Sequence, residues 1–166
     1  MSVEDNILSV LEMTGKPREY QMEKLESLIN DFDLQKVRKN LGDQLSGGER
    51  RRTEIARCLA NDPKFIMLDE PFAGVDPIQV EEIQNIVWRL KYRNIGILIT
   101  DHNVDETLAI TDRAYLLFEG RILFQGSPEE LAENKIVKEK YLTTGFVLRK
   151  KDFQLSDEQK RAEEGK

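Results

Sequence analysis

Three short stretches of this 166-residue chain gather reactive side chains at spacings that chemistry can use: Ser46-Gly47-Gly48-Glu49, Asp69-Glu70 and the only histidine, His102. A serine three residues ahead of a glutamate can open a helix, Ser46 as N-cap and Glu49 closing a capping box. The two glycines would let another molecule approach the backbone, and the first N–H groups of the helix would receive an anion. The plainer reading is a well-capped helix and nothing more. Asp69 and Glu70 follow the apolar run Phe65-Ile66-Met67-Leu68. Carboxylates at the carboxyl end of a buried strand stand where α/β sheets gather ligands. One can hold Mg²⁺ directly or through water, and the next can orient or deprotonate an attacking water; the alternative is a pair of surface carboxylates ending a strand. His102 comes just after a second apolar run, so it is expected on the same rim, within reach of a phosphate or a catalytic water. A lone histidine also has an ordinary structural reading.

The elements that must position these groups can be read from periodicity and caps. Ser2 with Asp5 forms a capping-box pattern ahead of Ile7, Leu8, Val10 and Leu11, and Gly15-Lys16-Pro17 ends that helix. Met22, Leu25, Leu28, Ile29 and Phe32 repeat at helical spacing. Phe65–Leu68 and Ile95–Ile99 read as strands buried on both faces of a parallel sheet. Between them, Asp76 and Pro77 start a helix whose core face is Val80, Ile83, Ile86, Val87 and Leu90. A helix around Val104–Ile110 precedes a hairpin, Ala114–Phe118 and Ile122–Phe124 joined by Glu119-Gly120, and Ser127-Pro128-Glu129-Glu130 restarts helix. The fold class is therefore α/β, a mostly parallel sheet with a C-terminal antiparallel hairpin. Residues 1–44 are expected to form a helical segment, 45–148 the part that carries the chemistry, and 149–166 a charged tail.

Lys and Arg number 25 against 31 Asp and Glu, a net charge of −6, which lacks the basic excess of a nucleic-acid binder. Hydrophobic residues at 39% suffice for a globular core. The single cysteine, Cys58, cannot close an internal disulfide, so a reducing compartment is expected. Apolar runs are far shorter than a membrane span, and Ser2, Glu4 and Asp5 do not read as a signal peptide.

In combination these stretches resemble the nucleotide-binding domain of ABC transporters. Leu45–Glu49 matches the signature LSGGE, Phe65–Glu70 the Walker B run, Ala73-Gly74-Val75-Asp76 the D-loop, and His102 the switch histidine. Within that family, Gly48–Arg52, Pro71–Pro77, Thr100–Val104 and Tyr141-Leu142 are similar to the lipopolysaccharide-export branch, over about residues 2–146. The branched-chain amino-acid importers share the plan but usually differ around the D-loop and switch histidine. The resemblance implies a soluble ATPase, peripheral at the cytoplasmic face of the inner membrane, that works as a homodimer beneath transmembrane permease subunits. Segment 2–44 would be the helical subdomain that docks on those permeases. ATP and Mg²⁺ would be the cofactors. Ser46, Gly47, Gly48 and Glu49 would meet the γ-phosphate of a nucleotide held by the second subunit. Asp69 would hold the metal, Glu70 would act on water, His102 would sense the γ-phosphate, and Asp76 would couple the two sites. The run Arg50–Arg52 reads as the solvated face of the signature helix. Soluble ABC proteins of translation or DNA repair, and a catalytically dead binding module, are the readings from other classes. The tandem cassettes or long coiled-coil insertions usual in the former are not seen.

One expected element is missing from these residues. A phosphate cradle requires G-x-x-x-x-G-K-[ST]; the dipeptide Gly15-Lys16 has Val10 in place of the first glycine and Pro17 in place of the hydroxyl residue, and Gly165-Lys166 is terminal. The fold is therefore expected to be an incomplete P-loop NTPase domain, a piece of a longer ATPase rather than a short protein lending its signature to another subunit. A sheet without its early strands would leave apolar edges in need of cover.

Overall fold

The computed structural model describes residues 1–142 and residue 148; the charged tail expected at 149–166 lies outside the described residues. The chain forms two compact units, one from Met1 to Thr100 and one beginning at Asp101.

In the first unit, helix α1 (Val3–Met13) starts at Ser2, which is hydrogen-bonded to Asp5 in the predicted capping box, and buries Val3, Ile7 and Leu11. Helix α2 (Arg18–Asp31) buries Leu25, Leu28 and Ile29 and packs against α1. Two short 3-10 turns, Gln35–Val37 and Gly42–Gln44, return the chain. Backbone bonds from Val3 N–H to Asn40 O (3.1 Å) and from Glu4 N–H to Arg38 O (3.0 Å) tie that return to the start of α1. Arg38 forms a two-pronged pair with Glu26 (2.7 and 2.9 Å) and also binds Glu4, which Lys39 reaches at 2.9 Å. Those two cationic donors, Arg38 first and then Lys39, hold the Glu4 carboxyl below its ordinary range.

Helix α3 (Gly47–Leu59) packs on α1 and α2 and buries Ile55, Ala56 and Leu59. Strand β1 (Phe65–Asp69), helix α4 (Pro77–Lys91) and strand β2 (Gly96–Thr100) complete the unit. The strands pair in parallel, Phe65 opposite Gly96 and Asp69 opposite Thr100, so they end level. Parallel strands need a crossover connection between them, and α4 supplies it. Helix α4 buries all five predicted core residues, Val80, Ile83, Ile86, Val87 and Leu90.

One expectation is corrected here. The two strands are not buried on both faces. Ile66 and Leu68 are buried, but Phe65 (57%), Met67 (70%) and Leu98 (42%) are exposed. Side chains alternate across a strand, and the register puts Phe65, Met67 and Leu98 on one side of the pair. Among the described residues the parallel sheet has two strands, and that side stays open.

In the second unit, helix α5 (Val104–Leu108) is capped by Asn103. Strands β3 (Ala114–Phe118) and β4 (Arg121–Gly126) form the predicted hairpin, with positive φ at Glu119 (47°) and Gly120 (74°), as a right-twisted two-residue turn requires. Helix α6 (Pro128–Glu133) begins in a second capping box, Ser127 with Glu130, and α7 (Lys135–Lys140) begins at Asn134. Leu108, Leu131, Val137 and Leu142 form the buried cluster of this unit. No helix among the described residues is long and apolar enough to cross a membrane.

Candidate functional site

Helix α3 opens as its sequence predicts. The Ser46 hydroxyl accepts from Glu49 N–H at 3.3 Å, and the Glu49 carboxylate accepts from Ser46 N–H at 2.8 Å. The two glycines have an internal reason as well as an external one. A Cβ on Gly47 would lie 3.3 Å from the Gly74 carbonyl oxygen, and one on Gly48 would lie 2.4 Å from Oε1 of Gln79. That same Gln79 oxygen accepts the Gly48 N–H at 2.8 Å. The start of α3 is thus pressed against segment 74–79: a side chain at Gly48 would have to displace Gln79, and one at Gly47 would need the Gly74 carbonyl to give way slightly. Gln79 is a site neighbour that sequence reasoning missed, because no local pattern announces a contact 31 positions away.

Segment 69–76 runs from the end of β1 to the start of α4. Asp69 is exposed at the last position of β1, and the Thr100 hydroxyl donates to its carboxylate. Glu70 follows with φ +46°, a region that non-glycine residues rarely occupy. Its N–H donates to Thr100 O at 2.7 Å. Its carbonyl accepts from Ala73 N–H at 3.2 Å and from Nη2 of Arg51 at 3.0 Å. Phe72 is buried and anchors the turn, and Gly74 takes φ +67°. Asp76 then caps α4, its carboxylate accepting from Ile78 N–H (3.1 Å) and Gln79 N–H (3.2 Å) with Pro77 at the first helical position.

The expectation for Arg50–Arg52 is corrected in part. Arg50 is exposed, but Arg52 is largely buried and pairs with Glu82 of α4, and Arg51 pairs with Glu54 at 2.8 Å while reaching Glu70. Alternating solvation along a helix cannot be inferred from charge alone once a second helix packs beside it.

His102 belongs to the second unit. Its imidazole is 73% exposed, with Nδ1 3.7 Å from the fully buried Asp101 carboxylate. Asp101 accepts from Asn103 N–H at 2.8 Å, a turn that fixes the segment just after β2.

Among the described residues no three His, Cys, Asp or Glu side chains cluster to hold a metal by themselves. Mg²⁺ keeps several waters and takes one or two carboxylates together with phosphate oxygens. Asp69, exposed at its strand end and steadied by Thr100, is the fitting carboxylate.

Residues 1–73 match the family model described as ABC transporter. The chain is 51% identical over 148 residues to the lipopolysaccharide export system ATP-binding protein LptB of Acidithiobacillus ferridurans, covering 89% of this chain and 61% of that protein. It is 50% identical to LptB of Haemophilus influenzae, covering 89% and 62%. A probable ABC transporter ATP-binding protein of Azorhizobium caulinodans is 51% identical, covering 89% and 53%. The chain thus spans less than two thirds of the length of these relatives. Among solved structures, an ATP-binding cassette of an ABC transporter superposes with TM-score 0.74 at 30% identity, covering 86% of this chain and 63% of that one. A nucleotide-free ATP-binding cassette superposes with TM-score 0.71 at 28% identity, again covering 86% and 63%.

Proposed function

We propose, from its likeness to ABC transporter ATP-binding proteins, that the chain acts within an ATP-hydrolysing subunit that powers lipopolysaccharide export. The observation that carries the proposal is the 69–79 segment. An exposed aspartate ends a strand, the next glutamate is held in an unusual backbone conformation, and the same segment packs against the glycines that open α3. The names of the LptB relatives support the cargo.

In this reading Ser46, Gly47, Gly48 and Glu49 face a nucleotide held by a second copy of the subunit, so the protein works as a homodimer. The Ser46 hydroxyl and the Gly47 N–H at the start of α3 offer donors to phosphate, while the Gly48 and Glu49 N–H groups are engaged by Gln79 and Ser46. Asp69 holds Mg²⁺, which when bound neutralises phosphate charge. Glu70 orients or deprotonates the attacking water, His102 contacts the γ-phosphate, and Asp76 connects one site to the other by fixing the entry of α4 beside the signature glycines. These 166 residues contain no G-x-x-x-x-G-K-[ST] loop; the reading assigns the phosphate cradle to residues outside them. Transmembrane permeases are the remaining partners, which places the subunit peripherally at the cytoplasmic face of the inner membrane.

The test is ATP turnover by the complete subunit assembled with its permeases. Lipopolysaccharide in micelles raises turnover if the reading is right. Stimulation by branched-chain amino acids instead, with no response to lipopolysaccharide, assigns the protein to an importer.

A further inference from the structure

Glu70 is a non-glycine residue at φ +46°, and it precedes Pro71, whose ring narrows its backbone choices further. Such a conformation persists only where its surroundings over-determine it, and it costs on the scale that functional sites tolerate. Hydrogen bonds to its backbone help to hold it. Two come from backbone groups: Glu70 N–H to Thr100 O at 2.7 Å, and Ala73 N–H to Glu70 O at 3.2 Å. A third comes from a side chain, Arg51 Nη2 to Glu70 O at 3.0 Å.

The guanidinium is aimed for that contact. Its Nη1 donates to Glu54 Oε2 at 2.8 Å on the same helix, and only 24% of the side chain is exposed. A guanidinium is a planar fork, so fixing one prong on Glu54 sets the direction of the other. Arg51 also stands one turn beyond the glycines that begin α3. It therefore joins the signature helix to the peptide group whose orientation decides where the Glu70 side chain points. A charge-assisted donor on a carbonyl is among the stronger bonds available for such a task.

We infer that Arg51 is a positioning residue for Glu70, holding its carbonyl so that its carboxylate points at the attacking water. The inference rests on the assignment of Glu70 as the group that acts on that water.

The test compares Arg51→Met, Arg51→Lys and Glu70→Gln in the complete ATPase subunit, measuring kcat, KM, thermal melting and hydrogen exchange at the amides of Glu70 and Ala73. Arg51→Met is expected to lower kcat roughly tenfold or more while KM stays within about twofold, because the loss falls on the transition state. Exchange should quicken at Glu70 and Ala73 and stay unchanged elsewhere. Arg51→Lys, which keeps a cationic donor, should recover most of kcat and of the protection. The inference is overturned if Arg51→Met keeps kcat within about twofold of wild type, or if Arg51→Lys is no better than Arg51→Met. It is overturned equally if exchange quickens across the whole protein with a matching fall in melting temperature, since Arg51 is then only a stabiliser. Should Glu70→Gln itself keep near-normal turnover, the assignment of Glu70 fails instead, and that outcome is separate from any result at Arg51.

Discussion

At the scale of single residues, the site is built by crowding. Gly48 has no space for a Cβ beside Gln79, so Gly48→Ala must displace that glutamine and break the bond from its own N–H. Overpacking of this kind costs about 1–3 kcal/mol. Chemical denaturation of the complete subunit should record that loss, and adding Gln79→Ala should return part of it. No recovery in the double variant would mean that the glycine serves something other than this contact. Glu4 offers a second residue-scale test. Arg38 and Lys39 depress its pKa below 4.5, so its contribution to stability is fully present above that value and is lost as pH falls through the lower folded-state value. Glu4→Gln should therefore melt below wild type at about pH 7, and the two melting curves should converge in acid once the pH has fallen through the lowered folded-state value. A gap that persists in acid would assign the effect to packing.

At the scale of elements, helix starts were the most legible feature of the sequence. Ser2, Ser46, Asp76 and Ser127 each cap the helix that follows, because a cap is a local bond between a side chain and an N–H two or three residues on. Asp76 caps α4, and substitution can separate that cap from the coupling role proposed for it. Asp76→Ala should cost about 1 kcal/mol by losing the cap of α4, whereas Asp76→Asn should keep most of that stability. If Asp76→Asn nonetheless loses turnover, the charge matters to coupling between sites; unchanged turnover would restrict Asp76 to capping. Contacts between elements were not legible. The positive φ of Glu70, the reach of Arg51 and the seat of Gln79 depend on where α3 lands against the β1–α4 connection, and no spacing in the chain encodes that landing. The burial of β1 and β2 was misread for a related reason. An apolar run such as Phe65-Ile66-Met67-Leu68 states that a strand has two apolar faces, not that both find a partner.

At the scale of the whole molecule, the open side of the parallel pair sets its behaviour. Among the described residues Phe65, Met67 and Leu98 form an exposed apolar strip on a two-stranded sheet, and such a strip favours self-association. A polypeptide of residues 1–166 alone is expected to elute as oligomers in size-exclusion chromatography with light scattering, and Met67→Lys with Leu98→Glu should shift it towards monomer. A clean monomer with a sharp melt would show instead that these residues stand by themselves. The central claim is that the signature of one copy and Glu70 of another act on a shared nucleotide. Its most direct measurement is the mass of the complete Glu70→Gln subunit with and without Mg-ATP. The account predicts a dimer that forms only with nucleotide, persists because turnover has stopped, and is abolished by Ser46→Arg at the start of α3. A subunit that binds Mg-ATP yet stays monomeric, or that dimerises equally well with Ser46→Arg, would contradict it.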